Sequence, residues 1–268
     1  VSDTAAKIRL VARIALRDPR LLGDYARWLA SGLRGSEVSV PRGHTADAVS
    51  PQEAWAIHHE LLPPWREGAA LELVRSEEGN FIAPDGAAAG LAKQLAGDRS
   101  LGEIVYALVR STQPDAVIET GVATGVTSAY ILAALEDNGA GQLYSIDLPP
   151  AQLVTSRLVG AAIPDDLRHR WVYRWGSSRR LLAPVLRETA GARRMFVHDS
   201  DHSYENMRWE LEQAWAALNE GEWLVADDVD LHDAFLDVAE RHRTPAIFLT
   251  QESKPGTTGL MRRGTFDP

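Results

Sequence analysis

Val117-Ile-Glu-Thr-Gly-Val-Ala-Thr-Gly-Val-Thr-Ser128 is the stretch whose reading decides the fold. The apolar run Ala116-Val117-Ile118 reads as a buried strand, and Glu119 ends it. Gly121 and Gly125 bracket a tight turn, and Val126 to Leu135 reads as a helix. Glycine suits such a turn because it accepts positive φ and lets a ligand approach bare backbone. The helix start adds N–H groups that have no intrahelical partner. Ala123 stands where the middle glycine of G-x-G-x-x-G belongs, and no Gly-Lys-Ser/Thr follows. The loop is of nucleotide type, yet it is neither the dinucleotide fingerprint nor a Walker loop.

Outward from this loop, helix and strand alternate. Leu101 to Val109 is helical, and Gln142 to Ile146 is a second strand ending at Asp147. Ala151 to Ala162 reads as a helix. Trp171 to Arg174 is a short strand, followed by Gly176-Ser177-Ser178 and a helix to about Glu188. Arg194 to His198 is a fourth strand. Tyr204 to Asn219 is a helix with Met207, Leu211, Ala214 and Leu218 on one face. Glu222 to Ala226 is a strand, His232 to Arg241 a helix, and Ala246 to Thr250 and Thr258 to Met261 the last strands. Such alternation predicts an α/β fold, a Rossmann-like, doubly wound, mostly parallel seven-stranded sheet. Ligands of such sheets bind at the carboxyl ends of the strands.

Residues 1–100 predict a mostly helical N-terminal extension, a cover for the acceptor or an oligomer contact, ahead of a catalytic domain over 101–268. Helical periodicity runs over residues 4 to 16, and Asp18-Pro19 starts a second helix that reaches about Leu33. Residues 34 to 50 read as an exposed loop, and its Arg42 and His44 are candidates for a lid over the site. Ser50-Pro51-Gln52-Glu53 is a capping box opening a helix that carries His58 and His59 and stops at Pro63-Pro64. Ala87 to Leu95 reads as helical. Trp55 and Trp65 are candidates to line an acceptor pocket, while Trp209 and Trp215 read as packing.

The 268 residues carry a net charge of −9 and no cysteine. The acidic balance argues against a nucleic-acid partner, which calls for a basic face. The absence of cysteine excludes disulfides, thiolate metal sites and a cysteine nucleophile. Charge interrupts the first residues every few positions, which predicts neither a signal peptide nor a membrane span, and a cytoplasmic protein.

The residues suited to chemistry fall at predicted strand ends. Asp147 follows Gly125 by the interval expected of an acid that bonds a ribose. Asp199, Asp201 and His202 lie just past the fourth strand, and Asp227 and Asp228 just past the fifth. Adjacent parallel strands would gather these carboxylates, and packed like charges call for a cation. Oxygen donors suit a hard ion such as Mg²⁺. The alternative is that Asp201 or Ser203 caps the next helix while Asp227-Asp228 begins a turn.

Glu119 followed by G-x-x-x-G resembles motif I of the class I S-adenosylmethionine (SAM) dependent methyltransferases. Asp199-Ser-Asp-His-Ser-Tyr204 and Asp227-Asp-Val229 look like the metal-dependent O-methyltransferases. More narrowly they resemble the branch with macrocin-type sugar O-methyltransferases and cephalosporin-hydroxylase-like proteins. The resemblance covers about residues 101 to 262. It implies SAM as cofactor, bound by Glu119, Thr120, Gly121, Gly125, Thr127, Ser128, Asp147, Gly176, Ser177, Ser178 and Asp199. Glu119 would face the cationic methionine end and Gly176-Ser177-Ser178 the adenine. It implies Mg²⁺ on Asp199, Asp227 and Asp228, with His202 as general base and Asp201 as the competing base. The acceptor would be a hydroxyl of a small polyol, a sugar or glycosylated metabolite. The alternatives are a catechol-like phenol as acceptor, an NAD-dependent oxidoreductase, and a non-catalytic SAM-binding protein. The apolar, helical first hundred residues suggest a homo-oligomer, most simply a dimer.

Overall fold

The computed structural model describes residues 18–32, 41–78, 99–149, 158–252 and 256–264. The helices expected over 4–16 and 87–95, and most of that over 151–162, lie outside the described residues. Residues 159–162 form turns. Ahead of the sheet come α1 (Arg20–Gly32), a 3-10 turn (His44–Asp47), α2 (Pro51–Ile57) and α3 (Ala69–Glu78). Then follow α4 (Arg99–Thr112), β1 (Ala116–Thr120), α5 (Val126–Asn138), β2 (Gln142–Asp147) and β3 (Trp171–Trp175). The chain continues through α6 (Ser178–Glu188), β4 (Arg194–His198), α7 (Tyr204–Ala217) and β5 (Trp223–Ala226). It closes with α8 (Ala234–His242), β6 (Ala246–Thr250) and β7 (Thr257–Arg262).

The seven strands form one sheet in the order β3-β2-β1-β4-β5-β7-β6, with β7 alone antiparallel to its neighbours. This is the Rossmann-like, doubly wound, mostly parallel seven-stranded sheet that the alternation predicts. The central strands are buried on both faces, as covered parallel sheets require. Val117, Leu143, Met195 and Val225 pack under α4 and α5, with α3 against α5 and α2 against β6 in the same core. Ile118, Ile146, Phe196 and Leu224 pack on the opposite face under α6, α7 and α8.

The capping box is present: Ser50 Oγ accepts from Glu53 N, and Glu53 accepts from Ser50 N at 2.9 Å. The helix it opens ends sooner than expected, so His58 is its cap residue and His59 lies in the following turn. β5 begins one residue late because Glu222 is occupied, accepting from Asn219 N and Arg194 N at 2.6 and 2.9 Å. Similarly, His232 precedes α8 rather than entering it, because its ring bonds the His202 carbonyl at 2.8 Å. Arg42 does not reach the site: its guanidinium pairs with Asp233, Asp237 and Glu240 at α8. Among the described residues no helix is long and apolar enough to cross a membrane.

Candidate active site

The rim at the carboxyl ends of β1, β4 and β5 is stitched by backbone. Asp199 N–H donates to Thr120 O at 2.9 Å, and Asp227 N–H to His198 O at 3.0 Å. These bonds carry the strand register past the strand ends and set Asp199 and Asp227 side by side. Gly121 and Gly125 have φ of 88° and 89°, and Ala123 between them is also positive at 46°. A Cβ on Gly121 would lie 1.8 Å from the Asp199 carbonyl oxygen. The sequence alone suggests that Gly121→Val would crowd only a ligand. The structure adds a collision with the backbone of the neighbouring loop.

A cavity of about 1000 Å³ opens over this rim. Its walls include Gly121, Val122, Ala123, Asp147, Ser177, Ser178, Asp199 and Asp201. Asp147 accepts from Ala123 N–H at 3.1 Å. Burial pushes its carboxyl up to about 6, against the pull of the Ala123, Val122 and Leu148 N–H groups. Helix α1 also reaches this cavity. Asp24 and Arg27 line it, and the Asp24 side chain is wholly buried. Asp24 accepts from Ser177 Oγ at 2.8 Å and from Ser177 N at 3.2 Å, and it pairs with Arg180 and Arg27, each at 2.7 Å. Tyr25 Oη donates to Pro149 O at 2.8 Å, fastening α1 beyond the end of β2 as well.

Several residues assigned to the cofactor also brace the loop from beneath through their side chains, while Thr120 lines the cavity as well. Glu119 does not line the cavity and is fully buried, accepting from Ser128 Oγ and Ser145 Oγ at 2.7 and 2.6 Å. Burial raises its carboxyl to about 7, more than these hydroxyls lower it. Thr120 Oγ1 turns inward and donates to Glu210 at 2.6 Å. Thr127 Oγ1 donates to Asp199 at 3.1 Å, so the glycine-loop helix and the acid cluster are directly joined.

Asp199, His202 and Asp227 each offer one donor atom, all within 4.8 Å of one another. His202 Nε2 lies 4.0 Å from Asp199 and its Nδ1 3.9 Å from Asp228, distances of ion pairs rather than hydrogen bonds. Asp227 is buried and accepts from the Gln251 side-chain amide. Asp228 holds a left-handed φ of 50°, which re-aims the chain after Asp227. The donor chemistry fits a divalent cation, since the carboxylate oxygens suit a hard ion such as Mg²⁺ or Mn²⁺ and a histidine beside them suits transition ions such as Fe²⁺ or Zn²⁺. Asp201 is exposed and accepts from Ser203 N–H at 3.0 Å, while Ser203 caps α7. That is the capping geometry weighed as the alternative for these residues.

The sequence reading missed what holds the cluster. Glu210, buried on the apolar face of α7, accepts from Thr120, from His198 Nδ1 at 2.8 Å, from Ser200 at 3.0 Å and from Asn206 at 3.0 Å. Burial alone would raise its carboxyl, but His198 and the hydroxyl donors outweigh it and bring it to about 2. The signal was present: one carboxylate sits inside the stripe of Met207, Leu211 and Ala214. Asp24 had no such signal, because Ser177 and Arg180, the partners that tie it to the cavity, lie more than a hundred residues away in sequence.

The sheet order and the glycine-loop rim are those that the resemblance to class I methyltransferases implies. Residues 118–229 match the family model described as a methyltransferase domain. No curated protein matches the chain in sequence. Among solved structures, the chain is similar to the SAH-bound methyltransferase PaMTH1 of Podospora anserina, at 12% identity and TM-score 0.50, over 80% of this chain and 96% of that one. It is also similar to the O-methyltransferase TomG of Streptomyces achromogenes, solved with SAM, at 20% identity and TM-score 0.49, over 80% and 99%. A third likeness is the SAH complex of a Bacillus cereus O-methyltransferase, at 14% identity and TM-score 0.48, over 80% and 96%. At these identities the likeness is one of fold.

Proposed function

We propose that this chain transfers the methyl group of SAM to a hydroxyl of a small polyol, a sugar or glycosylated metabolite, with a divalent cation at the acid cluster. The observation that carries the reading is the joining of Asp199 to both sides: it lines the cofactor-sized cavity, bonds Thr127, and meets His202 and Asp227. On the cofactor side, the Gly121–Gly125 loop admits the ligand to bare backbone, and Asp147 takes the ribose hydroxyls. Ser178 and Gly176 border the adenine, with Ser177 held by Asp24. On the acceptor side, Asp199, Asp227 and Asp228 would hold Mg²⁺ or Mn²⁺. Such an ion, when bound, lowers the pKa of the acceptor hydroxyl and orients a vicinal diol. His202, between Asp199 and Asp228, takes the hydroxyl proton as the oxygen attacks the sulfonium methyl. The products are the methyl ether, demethylated SAM and one proton. The same fold would serve a catechol-like acceptor, and chelation is common to both. The family match favours methyl over hydride transfer, and Ala123 keeps the loop from the NAD fingerprint. We further propose a homo-oligomer, which sedimentation at micromolar concentration tests; monomer alone would reject it.

Calorimetry with SAM, followed by methyl transfer to sugars and phenols with and without EDTA, tests the main reading. SAM should bind, and EDTA should stop turnover until Mg²⁺ is returned. Equal activity in chelator and in Mg²⁺ removes the metal, and NAD binding in place of SAM removes the whole reading. His202→Ala should lower kcat by about 10²–10⁴-fold with metal affinity retained. A parallel loss of metal affinity would make His202 a ligand instead.

A further inference from the structure

A second hollow, of about 370 Å³, lies among α2, α4 and the end of β6. Its apolar walls include Trp55, Trp65 and Ile104, so the structure brings both tryptophans of the extension into one cavity. The rings are fixed from behind. Trp65 meets Tyr106 edge-to-face at 5.4 Å, and Trp55 Nε1 approaches Ser111 Oγ at 3.5 Å.

The charge in the walls is unequal. Glu67, Glu103 and Glu252 line the hollow, against the single cation Arg75. Arg75 pairs with Glu67 at 3.0 Å and Glu103 at 3.4 Å, and Arg99 adds a second partner to Glu103 at 3.0 Å. Glu252, an exposed residue with no ion pair among the described residues, adds a negative charge to this wall. Indole faces beside a carboxylate favour an organic cation, because ring quadrupole and carboxylate attract the same charge. An anion is repelled, and a neutral ligand gains no charge attraction from Glu252. The volume lies at the lower end of the range for small-molecule sites, enough for one ring or a short chain.

The hollow is tied to the acid cluster through three consecutive residues. Gln251 bonds Asp227, and Thr250 and Glu252 on either side of it line the hollow. Glu252 N–H donates to Ser100 Oγ at 3.0 Å, and Ser100 is also a lining residue. We infer that this hollow seats a protonated amine with an apolar body, belonging to the acceptor and remote from the hydroxyl that is methylated. The assignment to the acceptor rests on the acid cluster being the methyl-transfer site.

Calorimetry on the full chain tests this with cyclohexylamine, a cation at neutral pH, and its neutral counterpart cyclohexanol. Cyclohexylamine should bind at least ten-fold more tightly than cyclohexanol. Glu252→Gln, a change at an exposed position, should remove that preference, and Trp55→Ala should weaken the amine by a similar factor. SAH affinity should be unchanged in both variants. Equal binding of amine and alcohol, no binding of either, or an unaltered preference in Glu252→Gln would overturn the inference. SAH titrated into the same samples reports separately on the methyltransferase reading, since a chain that binds the amine but not SAH refutes only that reading.

Discussion

Beneath the two halves of the rim lie two buried glutamates with opposite chemistry. Glu119, under the glycine loop, meets only the hydroxyls of Ser128 and Ser145, and its carboxyl is raised to about 7. Glu210, under the acid cluster, meets an imidazole, two hydroxyls and an amide, and its carboxyl falls to about 2. Both are fully buried, so burial does not separate them. What separates them is whether the partners supply charge-assisted donors. The glycine-loop side thereby rests on a carboxyl that is easily neutral. The acid-cluster side rests on one held ionised, at the point where three chain segments meet.

The sharpest way to break the comparison is to remove Glu210. Glu210→Ala leaves His198 and three other donors without their acceptor, a loss of about 3–5 kcal/mol of the kind seen when one partner of a buried pair is deleted. Chemical denaturation should show it, and a loss below about 1 kcal/mol would mean that water replaces the carboxylate. Asp227→Ala ranks next. It should abolish divalent-ion binding, read by Mn²⁺ resonance, while SAH affinity survives; loss of both would show that the two sides of the rim are one cooperative unit.

The pH dependence sharpens the same contrast. A folded value near 7 against 4.5 unfolded means that Glu119 binds more protons in the native state. Its contribution is therefore present below about pH 4.5 and is lost as pH rises towards 7. Glu210, near 2 against 4.5, contributes above about 4.5 and loses that contribution as pH falls towards 2. Glu119→Gln should thus flatten the decline in stability between pH 4.5 and 7 and leave the acid limb untouched. Unchanged slopes in both limbs would show that Glu119 stays ionised. The smallest effect is expected from Asp24→Asn, which should speed SAH release measured by stopped flow while global stability changes by about 1 kcal/mol or less.

What was legible in the sequence follows the same physical line. Strand positions were readable because buried parallel strands are continuous apolar runs: β4 and β6 fall at the expected residues, and β1, β2 and β3 within one residue. The polar residues past strand ends were readable because that edge is where such sheets bind ligands. Direction was not readable. Glu119 and Thr120 sit at the correct strand end, yet both turn inward, and a strand's alternation does not say which polar groups a later helix will claim. Thr120 finds Glu210 at a separation of 90 residues, and only the packing of α7 on the sheet makes that pair. Asp201 was ambiguous in sequence because the residue type that binds ions also caps helices.

The clasp of Asp24 on Ser177 and Arg180 bears on how this chain can be cut. A version starting at residue 99 keeps every strand of the sheet and both glycines of the loop. It also strips a wall from the chamber and leaves Arg180 facing solvent where a carboxylate now meets it at 2.7 Å. Such a cut also takes Ala54, Leu62, Leu71 and Val74 out of the core, so the strands alone do not mark out the folding unit. A fragment chosen for its sheet would be judged inactive for want of a helix that contributes no strand.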